Sequence, residues 1–556
     1  MSEQRRTTWP FAGYVRFSGT RMFLCFALLG VLTVAAPLRS QSVSPRLLVI
    51  LVVDQMRADY LKVFERHWAR GFRTLIREGA VFENAAYPYA NTVTCAGHAT
   101  VATGAFPRTH GIVGNNWWDS ARWRLVDCSI DVTEAGAHVS YGRPAEWGNS
   151  AHLLAVPTIG EELERQRSGS RVVVLSLKPD SSVALAGRSG TVVTWFDGTA
   201  GAFVTSRAYS ASPNSFMADA IARNPLSNEL SRTWTLLKSP DAYMNSDTAP
   251  GERPPAGRDG LFPHEIGANG SDARSIGLWQ RSPYSDRYLE RLAETLIERM
   301  GLGRDDVPDL LAIGFSALDL VGHASGPESR EVEDVLAHLD ATIGDLLNAL
   351  DRQVGRDRYV LALTADHGIP PAPVGSRGGV LAPEDVQQRI EGVLRSRSFA
   401  ERNSVAVRAP YVYFAPNVLP RLRQDRSLWQ ETLQAILGHP GVLRVLLPED
   451  LRVTATDAIV RAAALSYVPG RSGDLVIVPK AGWIMQGRNA AAATTHGSSH
   501  DYDRRVPLVL IGGGIRNGRF QEEATPADIA PTLAGLTGIK LERAEGRVLR
   551  EALTRR

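Results

Sequence analysis

The run Leu47-Leu-Val-Ile-Leu-Val-Val53 is apolar throughout, and Asp54 follows it directly. Its residues do not alternate with polar ones, which is typical of a strand covered on both faces, as in a parallel sheet. Five more short apolar runs occur along the chain, at residues 172–175, 310–313, 359–363, 475–478 and 507–511. Together these runs predict a buried, mostly parallel sheet.

Helical patterns separate the apolar runs. The clearest covers residues 331–350, where apolar side chains recur along one stripe, and another follows Asp59 through residues 61–79. Strands that alternate with helices predict an α/β fold, doubly wound, with a mostly parallel central sheet and helices on both faces. Ligands of such folds bind outside the carboxyl ends of the strands.

The first 44 residues differ from the rest of the chain. Several arginines precede the apolar stretch 22–36, and small residues follow it, which is typical of an export signal. The stretch is short for a membrane span of about 20 residues. We therefore expect residues 1–44 to be a signal peptide that is removed, with a retained signal-anchor as the alternative. The mature protein is then periplasmic or secreted and makes no stable membrane contact.

We expect residues 45–556 to form one catalytic domain that carries two inserted cap segments. Residues 197–285 are rich in Pro, Gly, Ser, Asn and aromatic residues, and they break the alternation of strands and helices. Residues 373–470 show mixed helix and strand signals. These two stretches are the predicted insertions.

The net charge argues against a nucleic-acid partner. The chain has 62 basic and 59 acidic residues, and residues 1–44 hold five of the arginines and one glutamate. The remaining 57 basic and 58 acidic residues nearly balance, so the expected mature protein has no basic field for nucleic acid.

Cysteine usage fits an exported protein. Cys25 lies in the signal, which leaves Cys95 and Cys128 as a pair. Exported proteins occupy oxidising compartments, so a disulfide is favoured over two buried thiols.

Potential metal ligands stand at or near four predicted strand ends. Asp319 and His323 are spaced i, i+4, so one helical turn would aim both at one point. Carboxylates and imidazoles without thiolates suit catalytic zinc, and also manganese or cobalt. Taken singly, each residue could equally be a helix cap, a surface pair or a loop residue. The complete set of candidate ligands is Asp54, Asp319, His323, Asp366, His367 and His496.

A polar turn supplies the second component of the candidate site. It reads Asn91-Thr-Val-Thr94-Cys95-Ala-Gly97-His98 and leads into a helical or loop segment. A hydroxyl in this turn could be activated by a metal held through Asp54.

With these residues in place, the sequence resembles the alkaline phosphatase superfamily, specifically the periplasmic phosphate-irrepressible alkaline phosphatases. It is more distantly similar to the nucleotide pyrophosphatase/phosphodiesterases. The resemblance runs from about residue 46 to the C-terminus. It rests on a combination of motifs: Val53-Asp-Gln-Met-Arg57, Thr94-Cys-Ala-Gly-His-Ala99, His110-Gly-Ile-Val-Gly-Asn115, Ser176-Leu-Lys178, Asp319-Leu-Val-Gly-His323, Ala365-Asp-His-Gly368 and Thr495-His-Gly497.

The resemblance implies a two-zinc site, with other divalent cations as the alternative. It implies that Thr94 is the nucleophile and a ligand of the nearer metal. That metal is also held by Asp54, Asp366 and His367. The second metal is held by Asp319, His323 and His496.

The resemblance also implies how the phosphoryl group is bound and what the enzyme does. Asn115 and the backbone N–H after Thr94 donate to a phosphoryl oxygen, and Lys178 contacts the group from the far side. The implied activity is hydrolysis of small phosphate monoesters through a covalent phosphothreonine. A phosphodiesterase or nucleotide pyrophosphatase on the same core is the alternative.

One position departs from the monoesterase pattern. There an arginine stands two residues after the lysine, whereas this chain has Lys178-Pro179-Asp180. Arginine is a bidentate phosphate partner, so its loss predicts weaker monoester hydrolysis. Asp180 is expected to pair with Lys178 or to repel substrate, and Arg188 is a candidate substitute for the arginine.

Other residues and functions fit less well. We expect His98 and His110 to serve structural hydrogen bonds, and Trp117-Trp118 to pack or line a pocket. A sulfatase is disfavoured because no C/S-x-P-x-R motif surrounds Thr94. A phosphate-binding protein without activity is disfavoured by the complete ligand set.

Overall fold

The computed structural model describes residue 13 and residues 44–143, 148–256, 260–267, 272–399 and 403–554. The predicted signal, residues 1–44, therefore lies almost wholly outside the described residues. Residues Ser42–Arg556 form one compact unit. Within the described ranges, no helix is long and apolar enough to cross a membrane.

The strands are β1 Leu47–Val53, β2 Ala80–Ala85, β3 Asn116–Asp119, β4 Arg124–Asp127, β5 His138–Ser140, β6 Val172–Ser176, β7 Val192–Asp197, β8 Ala202–Ser206, β9 Thr233–Trp234, β10 His264–Glu265, β11 Asp309–Phe315, β12 Tyr359–Thr364, β13 Gly379–Val380, β14 Val405–Arg408, β15 Tyr411–Phe414, β16 Val442–Leu446, β17 Leu475–Pro479, β18 Trp483–Ile484, β19 Leu508–Gly512 and β20 Gly518–Ala524.

The α-helices are α1 Tyr60–Val63, α2 Gly71–Glu78, α3 Thr94–Thr103, α4 Pro107–His110, α5 Ile159–Gln166, α6 Pro179–Ala186, α7 Ser215–Arg223, α8 Ser227–Leu230, α9 Ala273–Gln280, α10 Pro283–Met300, α11 Ala317–Ser325, α12 Arg330–Gln353, α13 Pro383–Ser396, α14 Leu419–Gln424, α15 Arg426–Leu437, α16 Ala458–Ser466, α17 Asp501–Arg504 and α18 Ile529–Thr537.

The central sheet has the strand order β20-β2-β19-β12-β1-β11-β6-β7-β8-β5. Strand β1 lies in its middle and pairs in parallel with both β11 and β12. Strands β6 and β7 extend the parallel part, whereas β19 and β8 run antiparallel to their neighbours. The prediction of a mostly parallel sheet is confirmed.

Alternate residues of β1 enter two separate cores, which explains why its run is apolar throughout. Leu47, Val49 and Leu51 join the core formed with α2, α10 and α12. Leu48, Ile50 and Val52 join the core formed with α3, α5, α6 and α18. Every residue of β1 is buried. Helices therefore cover both faces of the sheet, as predicted for a doubly wound fold.

A smaller antiparallel sheet has the order β14-β15-β17-β16. The apolar run 475–478 belongs to this sheet, as β17, and not to the central parallel sheet that its continuity suggested. The reason is again burial on both faces. Leu475 and Ile477 pack in a separate core with α13, α14 and α15, whereas Val476 and Val478 face the second core of the main sheet.

Helix α12, Arg330–Gln353, confirms the strongest helical prediction. The pattern at residues 61–79 is instead broken into α1, a short 3-10 helix and α2. The buried carboxylate of Asp340 in α12 accepts hydrogen bonds from the N–H groups of Ala69, Arg70 and Phe72 at 2.8–2.9 Å. A distant side chain thus satisfies the N-terminal N–H groups that an unbroken helix would have paired internally.

Glu290 of α10 gives the fold a testable pH dependence. Its side chain is 3% exposed, and burial, reinforced by Glu294 and Asp345, raises its pKa to about 8 from 4.5. Between these values the folded state holds a proton that the unfolded state has lost, so stability falls as pH rises through the window.

We expect Glu290→Gln, which cannot ionise, to gain unfolding free energy relative to the unsubstituted protein as pH rises through that window. The relative gain should approach about 1.4 kcal/mol per pH unit. Urea unfolding of both proteins at several pH values measures it. A difference independent of pH would contradict the burial argument.

Candidate metal centre and active site

The predicted ligands meet at one edge of the central sheet. Asp54 directly follows β1, Asp366-His367 follows β12, and α11 carries Asp319 and His323 just after β11. His496 precedes β19, which runs antiparallel to β12. The start of an antiparallel strand lies at the same edge as the ends of its parallel neighbours, so His496 joins the others.

Asp54, Asp366 and His367 form the first cluster, and their ligand atoms lie within 4.8 Å of one another. His367 Nε2 is 3.4 Å from Asp54 Oδ1 and 3.3 Å from Asp366 Oδ2. All three side chains are buried. Asp54 Oδ1 and Asp366 Oδ2 have no hydrogen-bond partner among the described residues. Two buried carboxylate oxygens left in this way fit a cation.

The second cluster consists of Asp319, His323 and His496, whose ligand atoms also lie within 4.8 Å of one another. His323 Nε2 lies 3.1 Å from Asp319 Oδ1, and His496 Nε2 lies 3.8 Å from it. Helical spacing on α11 brings the first two together, as predicted. The ring of His496 stacks on that of His367 with centroids 3.4 Å apart, so the two clusters are neighbours.

Hydrogen bonds orient all three imidazoles toward the candidate metal clusters. The Nδ1 atom of His367 lies 2.9 Å from Gly368 O, that of His323 lies 2.9 Å from Thr494 O, and that of His496 lies 3.0 Å from Thr92 O. Donation from Nδ1–H to a carbonyl places the lone pair on Nε2, which faces the cluster. These nitrogen and carboxylate donors fit two divalent cations such as zinc.

Burial and charge set the protonation of the clusters. Burial, then the charges of His367 and His323, lower the pKa of His496 well below its usual value. Burial lowers the pKa of His367 as well, even though Asp366 opposes the change. Both rings are therefore held neutral, which is the form that binds a metal.

Lys178 stands between the two clusters. Its Nζ donates to Asp54 Oδ2 at 2.5 Å and also contacts Asp319. Burial would lower the pKa of Lys178, but the carboxylates of Asp319 and Asp54 outweigh it and raise the pKa well above its usual value. The ammonium group thus stays charged beside both sites.

Thr94 begins α3 and lies beside the first cluster. Its Oγ1 is 3.4 Å from His367 Nε2. A Cβ on Gly97 would stand 2.3 Å from Asp366 O, so only glycine allows α3 to approach the first cluster this closely. A hydroxyl at a helix N-terminus next to two cation sites can attack an anionic phosphoryl group.

Asn115 lies next to Thr94, but its bonds differ from the implied arrangement. The N–H after Thr94 donates to Asn115 Oδ1 at 2.9 Å. The amide oxygen of Asn115 therefore accepts from the backbone of the Thr94 turn, and Nδ2 is the donor group of that side chain. The predicted disulfide between Cys95 and Cys128 is confirmed, with Cα atoms 6.5 Å apart. It fixes the loop from the other side.

Asp180 occupies the first turn of α6, two residues after Lys178. Burial raises its pKa, although Lys178 and His98 oppose the change. The suggestion that Arg188 replaces the absent arginine is wrong. Arg188 lies beyond the opposite end of α6 and donates to Glu161 Oε1 at 3.0 Å and to Leu154 O at 2.9 Å.

His98 and His110 make structural hydrogen bonds, as predicted. His98 Nδ1 is 2.9 Å from Thr94 O, the hydrogen bond that supports the Thr94 turn, and it lies 3.3 Å from Asp366 Oδ2. His110 Nε2 is 3.1 Å from Thr100 Oγ1, and burial lowers its pKa to about 3. Trp117 is buried, which fits packing.

Sequence reasoning missed two residues that support the ligands, Gln55 and Asp503. The carboxylate of Asp503 accepts from Ser498 N at 2.8 Å and Ser498 Oγ at 2.5 Å, while its carbonyl accepts from Gly368 N at 2.7 Å. Asp503 therefore joins the loop of His496 to that of His367. Nothing in the local sequence distinguishes it from a surface aspartate.

The chain is similar to known proteins. The model of the type I phosphodiesterase / nucleotide pyrophosphatase family matches residues 48–503. Alkaline phosphatase PafA of Elizabethkingia meningoseptica is 30% identical to this chain, over 95% of this chain and 99% of its own.

Solved structures of PafA are also similar to this chain. The crystal structure of wild-type PafA superimposes with a TM-score of 0.83 at 29% identity, covering 92% of this chain and 99% of PafA. A second PafA structure, with a TM-score of 0.84 and 28% identity over 92% of this chain and 99% of its own, carries substitutions of one threonine, one asparagine, one lysine and one arginine.

Proposed function

The chain belongs to the type I phosphodiesterase/nucleotide pyrophosphatase family, and on that premise we propose a specific activity. We propose that it hydrolyses small phosphate monoesters at a two-zinc site through a covalent phosphothreonine on Thr94. The coarser description follows from three relatives that are named alkaline phosphatases: the protein is a phosphoric ester hydrolase of the alkaline phosphatase type.

The observation that carries the proposal is the position of Thr94 beside two adjacent ligand clusters. Its Oγ1 is 3.4 Å from His367 Nε2, a ligand atom of the first cluster. The second cluster adjoins the first through the stacked rings of His367 and His496. A nucleophile and two cation sites in this relation suit an in-line displacement at phosphorus.

The chemistry divides into two half-reactions on Thr94. When bound, two divalent cations supply Lewis acidity, which lowers the pKa of the threonine hydroxyl and of water and offsets charge on the leaving oxygen. The Thr94 oxygen forms a bond to phosphorus, loses its proton to solvent, and the ester P–O bond breaks. The departing alkoxide takes up a proton. Water then loses a proton to solvent and forms a bond to phosphorus, the bond between the Thr94 oxygen and phosphorus breaks, that oxygen takes up a proton, and phosphate is released.

Other residues of the chain bind the phosphoryl group. The N-terminus of α3 carries a partial positive charge at Thr94, and the Lys178 ammonium group adds a full one. Asn115 Nδ2 can donate to a phosphoryl oxygen, because Oδ1 is already held by the Cys95 N–H. A donor aimed at developing charge contributes typically about 2.7–4 kcal/mol to transition-state stabilisation.

A location outside the cytoplasm fits the disulfide of this protein best. The disulfide between Cys95 and Cys128 adjoins the nucleophile, and such bonds persist in oxidising compartments. We therefore propose a periplasmic or secreted enzyme with small-molecule substrates and no nucleic-acid partner.

Asp180 favours a second candidate, a phosphodiesterase. A carboxylate stands where the monoesterase pattern has arginine, and a diester carries one negative charge less than a monoester. Paired assays with an aryl phosphate and its methyl diester test the assignment. Our proposal requires a higher kcat/KM for the monoester, and a higher value for the diester would establish the alternative.

We expect Asp180→Arg to raise kcat/KM for the aryl phosphate monoester by about 10–100-fold, because it adds a charge-assisted partner for the dianion. The methyl diester should gain less. Asp180→Asn is the control, since it removes the charge without adding a donor, and it should give a smaller gain. An unchanged monoester kcat/KM in Asp180→Arg would show that the phosphate clamp is not impaired.

A further inference from the structure

Gln55 has an unusual backbone conformation at the centre of the site. Its φ is +69°, in the left-handed region that favours glycine. Among the described residues, three other non-glycine residues have positive φ: Trp123, Ser398 and Asn403. Of the four, Gln55 is the buried one, with 1% exposure. Strained backbone of this kind needs compensating interactions to persist.

The compensating interactions are hydrogen bonds to ligands of both clusters. The Gln55 N–H donates to Asp366 Oδ1 at 3.0 Å, in the first cluster. Its side-chain Nε2 donates to Asp319 Oδ1 at 2.6 Å, in the second. Because Gln55 also follows Asp54 in the chain, one residue links the two sets of carboxylates.

The side-chain amide is held in place by α11. A Cβ on Gly322 would stand 1.9 Å from Gln55 Oε1, so the absence of a side chain there makes room for the amide. Gly322 lies on the same helix as Asp319 and His323. The amide therefore packs against the element that carries two second-cluster ligands.

From these contacts we propose that Gln55 is a positioning residue that orients Asp319 for the second metal. The inference rests on the two-metal site of the proposed function. The Gln55 amide donates to one oxygen of Asp319, and this bond fixes the direction of the carboxylate. The first cluster depends on the Gln55 main chain, which substitution leaves intact.

We expect Gln55→Ala to weaken Zn²⁺ binding at the second cluster by about 10–100-fold, the usual effect of losing a hydrogen bond to a metal ligand. Binding at the first cluster should stay unchanged, because the N–H to Asp366 remains. Competition with a chelating dye, with Zn²⁺ alone as the probe, measures both affinities in the full chain.

Two further variants separate orientation from backbone strain. Gln55→Gly relieves the left-handed strain and should weaken the second site as much as Gln55→Ala does. Asn403→Ala removes a polar side chain at an exposed residue with φ +62° and should leave Zn²⁺ binding unchanged. If Gln55→Gly binds Zn²⁺ normally while Gln55→Ala does not, strain and not the amide is responsible, and the inference is wrong.

Combining Gln55→Ala with a substitution in the second cluster tests whether the loss of Zn²⁺ affinity comes from that cluster. In a His323→Ala chain, whose second cluster is already disabled, adding Gln55→Ala should cause no further loss of Zn²⁺ affinity. A further loss of Zn²⁺ affinity in that chain would show a general effect on the fold. It would overturn the inference about Gln55 and leave the two-metal proposal standing. An unsubstituted chain that binds fewer than two Zn²⁺ would overturn both the inference and the two-metal proposal.

Discussion

Replacing Thr94 by alanine is expected to lower kcat for an aryl phosphate by roughly 10⁴–10⁶-fold, the range seen when a catalytic nucleophile is removed. Thr94 supplies the hydroxyl that contacts the candidate metal ligand His367, with its Oγ1 atom 3.4 Å from Nε2. Zn²⁺ should still bind, because three ligands of the first cluster remain. Steady-state kinetics and metal analysis of the purified variant give both results.

Two variants serve as references for Thr94→Ala. Thr94→Ser keeps a hydroxyl and should keep substantial turnover. Thr103→Ala removes another buried hydroxyl from α3, one that bonds Ala99 O at 2.6 Å, and should leave kcat nearly unchanged. If Thr94→Ala with full metal content still turns over at the original rate, Thr94 is not the nucleophile.

His323→Ala is expected to reduce activity by about 10³-fold or more, since a catalytic cation supplies several kcal/mol of charge stabilisation. The ring is one of three ligands in the second cluster, and its Nε2 lies 3.1 Å from Asp319 Oδ1. Metal analysis should show one Zn²⁺ lost per chain. Kinetics on the same preparation should show the loss mainly in kcat.

His152→Ala provides the matched control for His323→Ala. Its side chain is 41% exposed and lies 3.8 Å from Asp131, not in either cluster. Its removal should change neither metal content nor kcat. Full activity of His323→Ala with a single bound metal would show that the second cluster is not needed for turnover.

The candidate ligands could be predicted from the sequence where a recognisable strand or helix pattern places them. Asp54 and Asp366 end continuous apolar runs, and those runs become β1 and β12. Asp319 and His323 have a helical spacing that α11 realises. The carboxyl ends of parallel strands lie at one edge of the sheet, so predicting the fold also predicted that these residues lie close together.

The failures share a physical cause, which is contact between residues far apart in the chain. The helix predicted over residues 61–79 is broken because Asp340, on a distant helix, accepts hydrogen bonds from N–H groups just before α2 and in its first turn. The run 475–478 has the continuity of a parallel strand because two cores bury β17 from opposite sides. Local patterns contain neither fact.

The supporting residues of the site were hidden for a related reason. Gln55 acts through a backbone conformation that side-chain type does not indicate, and Asp503 acts through bonds to two separate loops. Arg188 is close to Lys178 in sequence, yet the length of α6 carries it to the other end of the helix. Distance along the chain is a poor guide to distance in the site.

The proposed mechanism requires that Thr94 becomes phosphorylated during turnover. Acid quenching of the enzyme during hydrolysis of an aryl phosphate, followed by peptide mass spectrometry, tests it most directly. We expect a phosphate on Thr94 in the unsubstituted protein and none in Thr94→Ala. Steady turnover with no phosphate on Thr94 at any time after mixing would contradict the proposed mechanism.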